Sequence, residues 1–268
     1  MTGKAPDADI ERRFGGVRRL YGETAARRIA KARVCVAGIG GVGSWTVEAL
    51  ARSGIGALTL IDLDMVAESN TNRQIHALGN EYGKAKVDVM AARVAAIHPD
   101  CQITPVETFV TLENVASLLA NTPDCVVDAV DDARVKAAMI AHCRRKGIPI
   151  VTAGAAGGQK DPTRIRQDDL ARVTQDPLLA RTRALLRREY GFPAGAPRKA
   201  SEKFGIPAIF SMEPLRYPDR CAPNSETIGT PGIQGLSCAG FGSSVCVTAT
   251  FGLAAAAAAL ERVCLVRQ

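Results

Sequence analysis

None of the eight cysteines in this 268-residue chain belongs to a CxxC pair, and there are only three histidines, His76, His98 and His142. So few paired soft ligands argue against a structural zinc site. An apolar signal region is also missing from the polar N-terminus, so the expected setting is cytoplasmic with reduced thiols. No internal repeat is present. What is present is a 47% hydrophobic composition, ample for a packed core, and 34 Lys/Arg against 27 Asp/Glu, a net charge of +7. That balance suits a polyanionic partner such as nucleic acid without requiring one. The length bounds one large domain or one domain with an embellishment.

Strand-like and helix-like segments alternate over the first half. Residues 11–32 read as a charged helix, 34–37 and 57–61 as buried strands, and 44–53 as a helix that Gly54 can end. Residues 84–97 carry apolar side chains at i, i+3, i+4 and i+7 and stop at Pro99, the mark of an amphipathic helix. Residues 103–106, 125–130 and 148–152 read as strands, with a helix over 134–146 ended by Gly147. Cys35 and Cys125 fall in strand-like runs and read as core. The alternation predicts an α/β fold, a mostly parallel Rossmann-like sheet with helices on both faces.

The second half changes character. Residues 153–158 (AGAAGG) read as a flexible connector, and 164–203 hold ten Lys/Arg against five Asp/Glu, a basic insertion. Within it, 177–190 form a helix capped by Asp176 and ended by Gly191, before a Gly/Pro/Ala-rich loop. Residues 208–211 resemble a strand. Residues 243–263 form an apolar helix containing six consecutive alanines, expected to be buried on the sheet or at a dimer interface rather than inserted stably in a membrane. The expected divisions are an N-terminal helical segment (1–32), a nucleotide-binding part (33–155) and a substrate-binding and dimerisation part of the same fold (156–268).

Chemistry concentrates in residues 34–86. GIGGVG (Gly38, Gly40, Gly41 and Gly43 its glycines) fits GxGxxG between strand and helix, where backbone N–H groups and the helix dipole favour a phosphate. Asp62, at the end of the next strand, can accept from ribose hydroxyls. To this point an NAD-dependent oxidoreductase fits equally. Asp64 follows, then SNTNRQ: Ser69, Asn70, Asn72, Arg73 and Gln74 pack donors into six residues. A triphosphate needs such a cluster more than a diphosphate already served by the glycine loop. Arg73 can bind phosphate bidentately, and Lys86, at a helix start, adds a point charge. VVDAVDD (126–132) ends a strand in three acids; Asp131 is the candidate magnesium ligand, Asp128 a backbone organiser, Asp132 a helix cap.

The series GxGGxG, DxDxVxxSNxNRQ, a helical lysine and VDAxDD resembles the adenylating family related to ubiquitin-activating enzymes. The resemblance implies ATP, Mg2+, a homodimer, and attack of a substrate carboxylate on the α-phosphate. RRFGGVRRLYG (12–22) resembles the family's N-terminal segment, and Arg13 matches an arginine that reaches the partner subunit's ATP. Members that activate sulfur-carrier proteins usually carry two CxxC pairs, which this chain lacks, although that substrate class stays open. Residues 152–165, 175–192 and 210–218 are similar to the branch that dehydrates threonylcarbamoyladenosine in transfer RNA. That likeness implies a tRNA partner; the basic 164–203 region, with Arg164, Arg166, Arg181 and Arg183, is then expected to hold its backbone, the alternative being that these arginines are only a solvated helix face. Arg13, Arg73, Lys86 and Asp131 are then the catalytic candidates. Cys221, in RCAPN, is either an inert loop thiol or a point of sulfur traffic with a cysteine desulfurase partner.

Overall fold

A computed structural model describes residues 9–194, 202–216 and 241–265. One seven-stranded sheet organises it, in the order β3-β2-β1-β4-β5-β7-β6. The strands are β1 (Arg33–Ala37), β2 (Ala57–Ile61), β3 (Gln102–Val106), β4 (Cys125–Asp128), β5 (Ile150–Ala153), β6 (Ile165–Asp169) and β7 (Pro207–Ser211). All neighbours pair in parallel except β6, which runs antiparallel to β7 at the edge. The order reverses between β1 and β4. In an open parallel sheet that is the place where a crevice opens beyond the carboxyl ends of the strands.

The helices are α1 (Ile10–Tyr21), α2 (Glu23–Ile29), α3 (Gly43–Arg52), α4 (Lys86–Ile97), α5 (Val115–Leu118), α6 (Ala133–Lys146), α7 (Pro177–Glu189) and α8 (Val245–Leu265). They cover both faces. On one face α3, α4 and α8 bury Val47, Leu50, Met90, Val94 and Phe251 against β1, β2 and β4. On the other, α6 and α7 bury Met139, Ile140, Leu179 and Leu186 with Val126 and Ile150. Central strands buried on both sides need the near-continuous apolar runs found in β1 and β4. Burial pushes the thiols of Cys35, Cys125 and Cys143 up to about 12, so these cysteines act as core side chains.

Several local expectations are met. Asp132 caps α6 by accepting from the Arg134 and Val135 N–H groups, and left-handed Gly147 ends it. Asp176 caps α7 by accepting from the Leu179 N–H. Helix α8 packs on α3 and on β4, β5 and β7. By length and composition alone it could cross a membrane, yet half of its apolar window is buried inside the protein.

Other expectations need correction. The single helix over 11–32 is two, because Gly22 takes φ +82° and breaks the ladder between α1 and α2. The strand expected over 125–130 ends at Asp128, whose Oδ1 accepts from the Val130 N–H 3.2 Å away and turns the chain. The 164–203 region is not an insertion beside the fold: β6 and α7 extend the sheet and cover it. IRQDD holds one apolar residue, so β6 gives no periodic signal; its pairing with β7 creates it. Residues 153–158 are not a free connector either. Gly154 N–H donates to Ile209 O at 2.8 Å and Ala155 N–H to Asp176 Oδ2 at 3.0 Å.

Candidate active site

The crevice at the switch point is a cavity of about 410 Å³. Its floor is the β1–α3 turn. Gly38 takes φ +85°, and a Cβ there would lie 2.8 Å from Ala129 O. A Cβ on Gly43 would meet Gly38 O at 1.7 Å, so only glycine lets α3 begin this close to the strand. Gly38, Gly40 and Gly41 line the cavity; Gly43 stands behind it as the packing position.

The Asp62 carboxylate organises this turn. Its Oδ2 accepts from the Ile39 N–H at 2.6 Å and its Oδ1 from the Asp64 N–H at 2.9 Å. Burial raises its carboxyl above the ordinary range, an effect that the nearby Lys86 charge opposes. Asp64 and Lys86 face each other across the cavity wall: the Lys86 Nζ donates to Asp64 Oδ2 at 2.7 Å, and Lys86 N–H donates to Asp64 O at 3.0 Å. The lysine side chain is 6% exposed and its partner 53%, so the ammonium is held inside while the carboxylate stays wet.

The SNTNRQ segment divides its labour. Arg73 and Gln74 line the cavity, with Asn70 beside them. Asn70 Oδ1 also accepts from the Ala67 N–H at 3.1 Å and fixes the short helical turn. Ser69 and Asn72, expected among the nucleotide-binding residues, are not among the residues that line the cavity. Each instead accepts from the Arg73 guanidinium, Ser69 through its carbonyl at 2.7 Å and Asn72 through Oδ1 at 2.9 Å. Trp45 Nε1 holds the Arg73 carbonyl at 3.0 Å. A guanidinium held through Nη1, on a backbone that Trp45 also fixes, keeps its other N–H groups for an anion and loses less freedom when one arrives.

Asp131 also lines the cavity and is exposed, on the turn that Asp128 shapes. Asp128 itself is fully buried. Its Oδ2 accepts from Lys136 Nζ at 3.0 Å and from Thr152 Oγ1 at 2.7 Å, and the lysine is also 0% exposed. Among the described residues no three His, Cys, Asp or Glu side chains gather as a metal cluster. Of the carboxylates that line the cavity, Asp62 and Asp132 accept from backbone N–H groups and Asp64 pairs with Lys86, which leaves Asp131 to fit magnesium, an ion that commonly takes one or two carboxylates and leaves the rest of its shell to phosphate and water.

Arg13 is not at the cavity of its own chain. Its Nη1 donates to Ala96 O and Ile97 O, at 3.2 and 2.6 Å, and closes the C-terminus of α4. His98, the cap residue there, meets Phe14 edge-on at 4.7 Å. The four arginines assigned to RNA do not form one cluster. Arg164 and Arg166 lie exposed at and beside edge strand β6, and Arg181 lies exposed on α7. Arg183 is half-buried and turned toward Leu170 O. Cys221 lies outside the described residues.

Sequence reasoning missed one whole side of the cavity. Thr108, Phe109 and Val110, in the loop after β3, supply an apolar flank with Val130 and Val135. Such a slot suits a flat heteroaromatic base. The apolar pair after a strand end in ETFVT was the available signal. His76 was also passed over. It is 1% exposed and neither ring nitrogen has a partner. Burial, then the charges of Lys86 and Arg93, hold it down to about 4, neutral at pH 7. The unfolded chain takes up a proton below about pH 6.5 and the folded chain does not, so stability is fully present above that pH and falls toward pH 4, by about 3 kcal/mol in total. Urea melts across this range should show the decline, and His76→Phe should flatten it; an equally steep decline in the variant would assign it to other groups.

Residues 15–265 match the model of the ThiF family. The chain belongs to the ThiF family. One relative, the tRNA threonylcarbamoyladenosine dehydratase of Escherichia coli, is 49% identical over 255 residues, covering 93% of this chain and 92% of that protein. The protein of the same name from Haemophilus influenzae is 44% identical over 95% of this chain and 94% of its own length. A crystal structure of the E. coli enzyme in complex with ATP superposes with a TM-score of 0.82 at 48% identity, covering 94% of each chain. The ThiF-family chain thus shares the relatives' fold over nearly its whole length.

Proposed function

We propose that the chain uses ATP to dehydrate N6-threonylcarbamoyladenosine in tRNA, beside the anticodon. The observation that carries this reading is the near full-length likeness to dehydratases of that name, one of them solved with ATP. The cavity supports it: an anion-binding turn, a pinned guanidinium and an enclosed ammonium converge at one strand-end crevice.

In this reading the substrate carboxylate attacks the α-phosphorus, pyrophosphate leaves, and an acyl-adenylate forms. A nitrogen of the same side chain then attacks the activated carbonyl, AMP departs, and a five-membered ring closes with net loss of one water. Closure is intramolecular, so proximity replaces an enzyme nucleophile and no thioester cysteine is needed. Arg73 and Lys86 offset charge building on the phosphates, and the glycine-turn N–H groups hold them. Asp131 would hold Mg2+, which would supply further neutralisation of the triphosphate. The reading includes a cytoplasmic homodimer in which Arg13 serves the partner's nucleotide, and RNA-backbone contacts from Arg164, Arg166, Arg181 and Arg183. Its test is mass spectrometry of tRNA nucleosides after incubation with protein and ATP. The expected product is lighter than its precursor by one water, with one AMP and one pyrophosphate released per ring. Pyrophosphate release that depends on a carrier protein instead of tRNA would overturn it.

A further inference from the structure

We infer that the paired C-terminal ends of α6 and α7 form a docking surface for the phosphate backbone of the RNA stem that carries the reacting nucleotide, an inference that rests on the tRNA reading above. The last turn of α6 carries Arg144, Arg145 and Lys146, and that of α7 carries Arg187 and Arg188. The two helices pack side by side. Lys203 precedes Phe204 in sequence and makes a sixth cation; the nearby carboxylates are Glu189, Glu202 and Asp169, the last accepting from the Phe204 and Gly205 N–H groups at 2.8 and 2.7 Å. Among the described residues only Arg188 has an acidic partner, Glu189 at 2.5 Å; Arg144, Arg145, Lys146 and Arg187 have no ion pair.

Helix dipoles favour a cation or two at each C-terminus. They do not explain why two such ends converge against their mutual repulsion, nor why aromatic rings brace them. The Arg144 guanidinium lies 4.2 Å over Phe192, Phe192 meets Phe204 edge-on at 5.0 Å, and Arg187 lies 5.5 Å from the Phe204 ring. Arg187 Nε also donates to Pro193 O at 3.1 Å. Rings that hold guanidinium planes leave their N–H edges free for phosphate oxygens.

Position selects the occupant. Asp132 and Leu178, at the starts of α6 and α7, line the cavity. Helices of 14 and 13 residues place their far ends about 20 Å away at 1.5 Å per residue. A contact there cannot touch the reacting base; it meets the duplex from which that base is presented. Arg181 and Arg188, both exposed and seven residues apart, share one face of α7 and continue the positive track from cavity to patch.

The test is a triple variant, Arg145→Ala with Lys146→Ala and Arg188→Ala, which leaves both stacked arginines in place. With modified tRNA its KM should rise about tenfold or more, and the slope of log affinity against log salt should flatten by about 2 to 3. Saturated kcat and ATP affinity should match those of the parent. On a short oligonucleotide that has the anticodon loop without its stem, parent and variant should be equal. Unchanged KM and salt slope with full-length tRNA would overturn the surface, as would an equal loss on the stemless substrate. A parent protein that does not turn over modified tRNA would defeat the functional reading instead, and the comparison keeps the two failures apart.

Discussion

Lys86→Met should lower kcat for pyrophosphate release by about 10²- to 10³-fold, the loss typical when one preorganised donor is removed from a developing charge. The lysine opens α4 and is 6% exposed, so its ammonium lies in a part of the cavity from which water is largely excluded. There a fixed charge acts on phosphate oxygens far more strongly than it would in water. Methionine fills the channel of the lysine stem and removes only the charge. Asp64 is left without its ion pair but is 53% exposed and can be solvated, so stability should change by no more than about 1 kcal/mol. An activity loss without a matching loss of stability separates a catalytic role from a structural one. Lys86→Arg should not rescue, because a planar fork cannot take the place of a compact ammonium in an enclosed site. The variant carries a second signature. Lys86 is one of the charges that hold His76 neutral, so its removal should move the acid-side loss of stability to lower amplitude. Steady-state kinetics and urea melts measure both; a kcat within about threefold of the parent would remove Lys86 from the phosphate site.

The half of the site that uses backbone is legible in the sequence, because a strand, a glycine turn and a helix can satisfy a phosphate in few ways. Gly38 and Gly43 make the tight turn and the close helix approach, whereas Asp62, expected to accept from ribose, accepts from the Ile39 and Asp64 N–H groups. The half that depends on side-chain direction is less so. Ser69 and Asn72 are polar residues beside Arg73, and sequence alone does not distinguish a donor aimed at a ligand from an acceptor that holds the guanidinium. The edge of the sheet is illegible for a related reason. IRQDD becomes a strand only because β7 offers its backbone, from Pro207–Ser211, far along the chain. The cation cluster at the ends of α6 and α7 was hidden likewise. Its members lie in segments separated by some forty residues, and helix packing brings them together.

Lys136 is the residue that periodicity conceals most fully. It occupies a helix position beside buried alanines and is itself 0% exposed, paired with an Asp128 that is also 0% exposed. Removing one member of a buried pair leaves the other charge unsolvated, at a cost of about 3–5 kcal/mol. Folded domains have only about 5–15 kcal/mol in hand, so Lys136→Met should bring the protein close to unfolding at 37 °C. The cost lies in the orphaned carboxylate, not in the lost attraction, and a second substitution tests that. With Asp128→Asn added, the carboxylate orphaned by the lysine's loss is gone, while the other buried carboxylate near Lys136, Asp176, keeps the Ala155 and Leu179 N–H groups it accepts from, and the double variant should recover to within about 2 kcal/mol of the parent. An asparagine Oδ1 can still accept from the Val130 N–H, so the turn that presents Asp131 is kept and the double variant should still bind ATP. Urea melts of the two single variants and the double variant give the coupling. If the double variant is no more stable than Lys136→Met alone, the penalty is loss of packing in the wall beneath the cavity, and the charge-pair account of that wall fails.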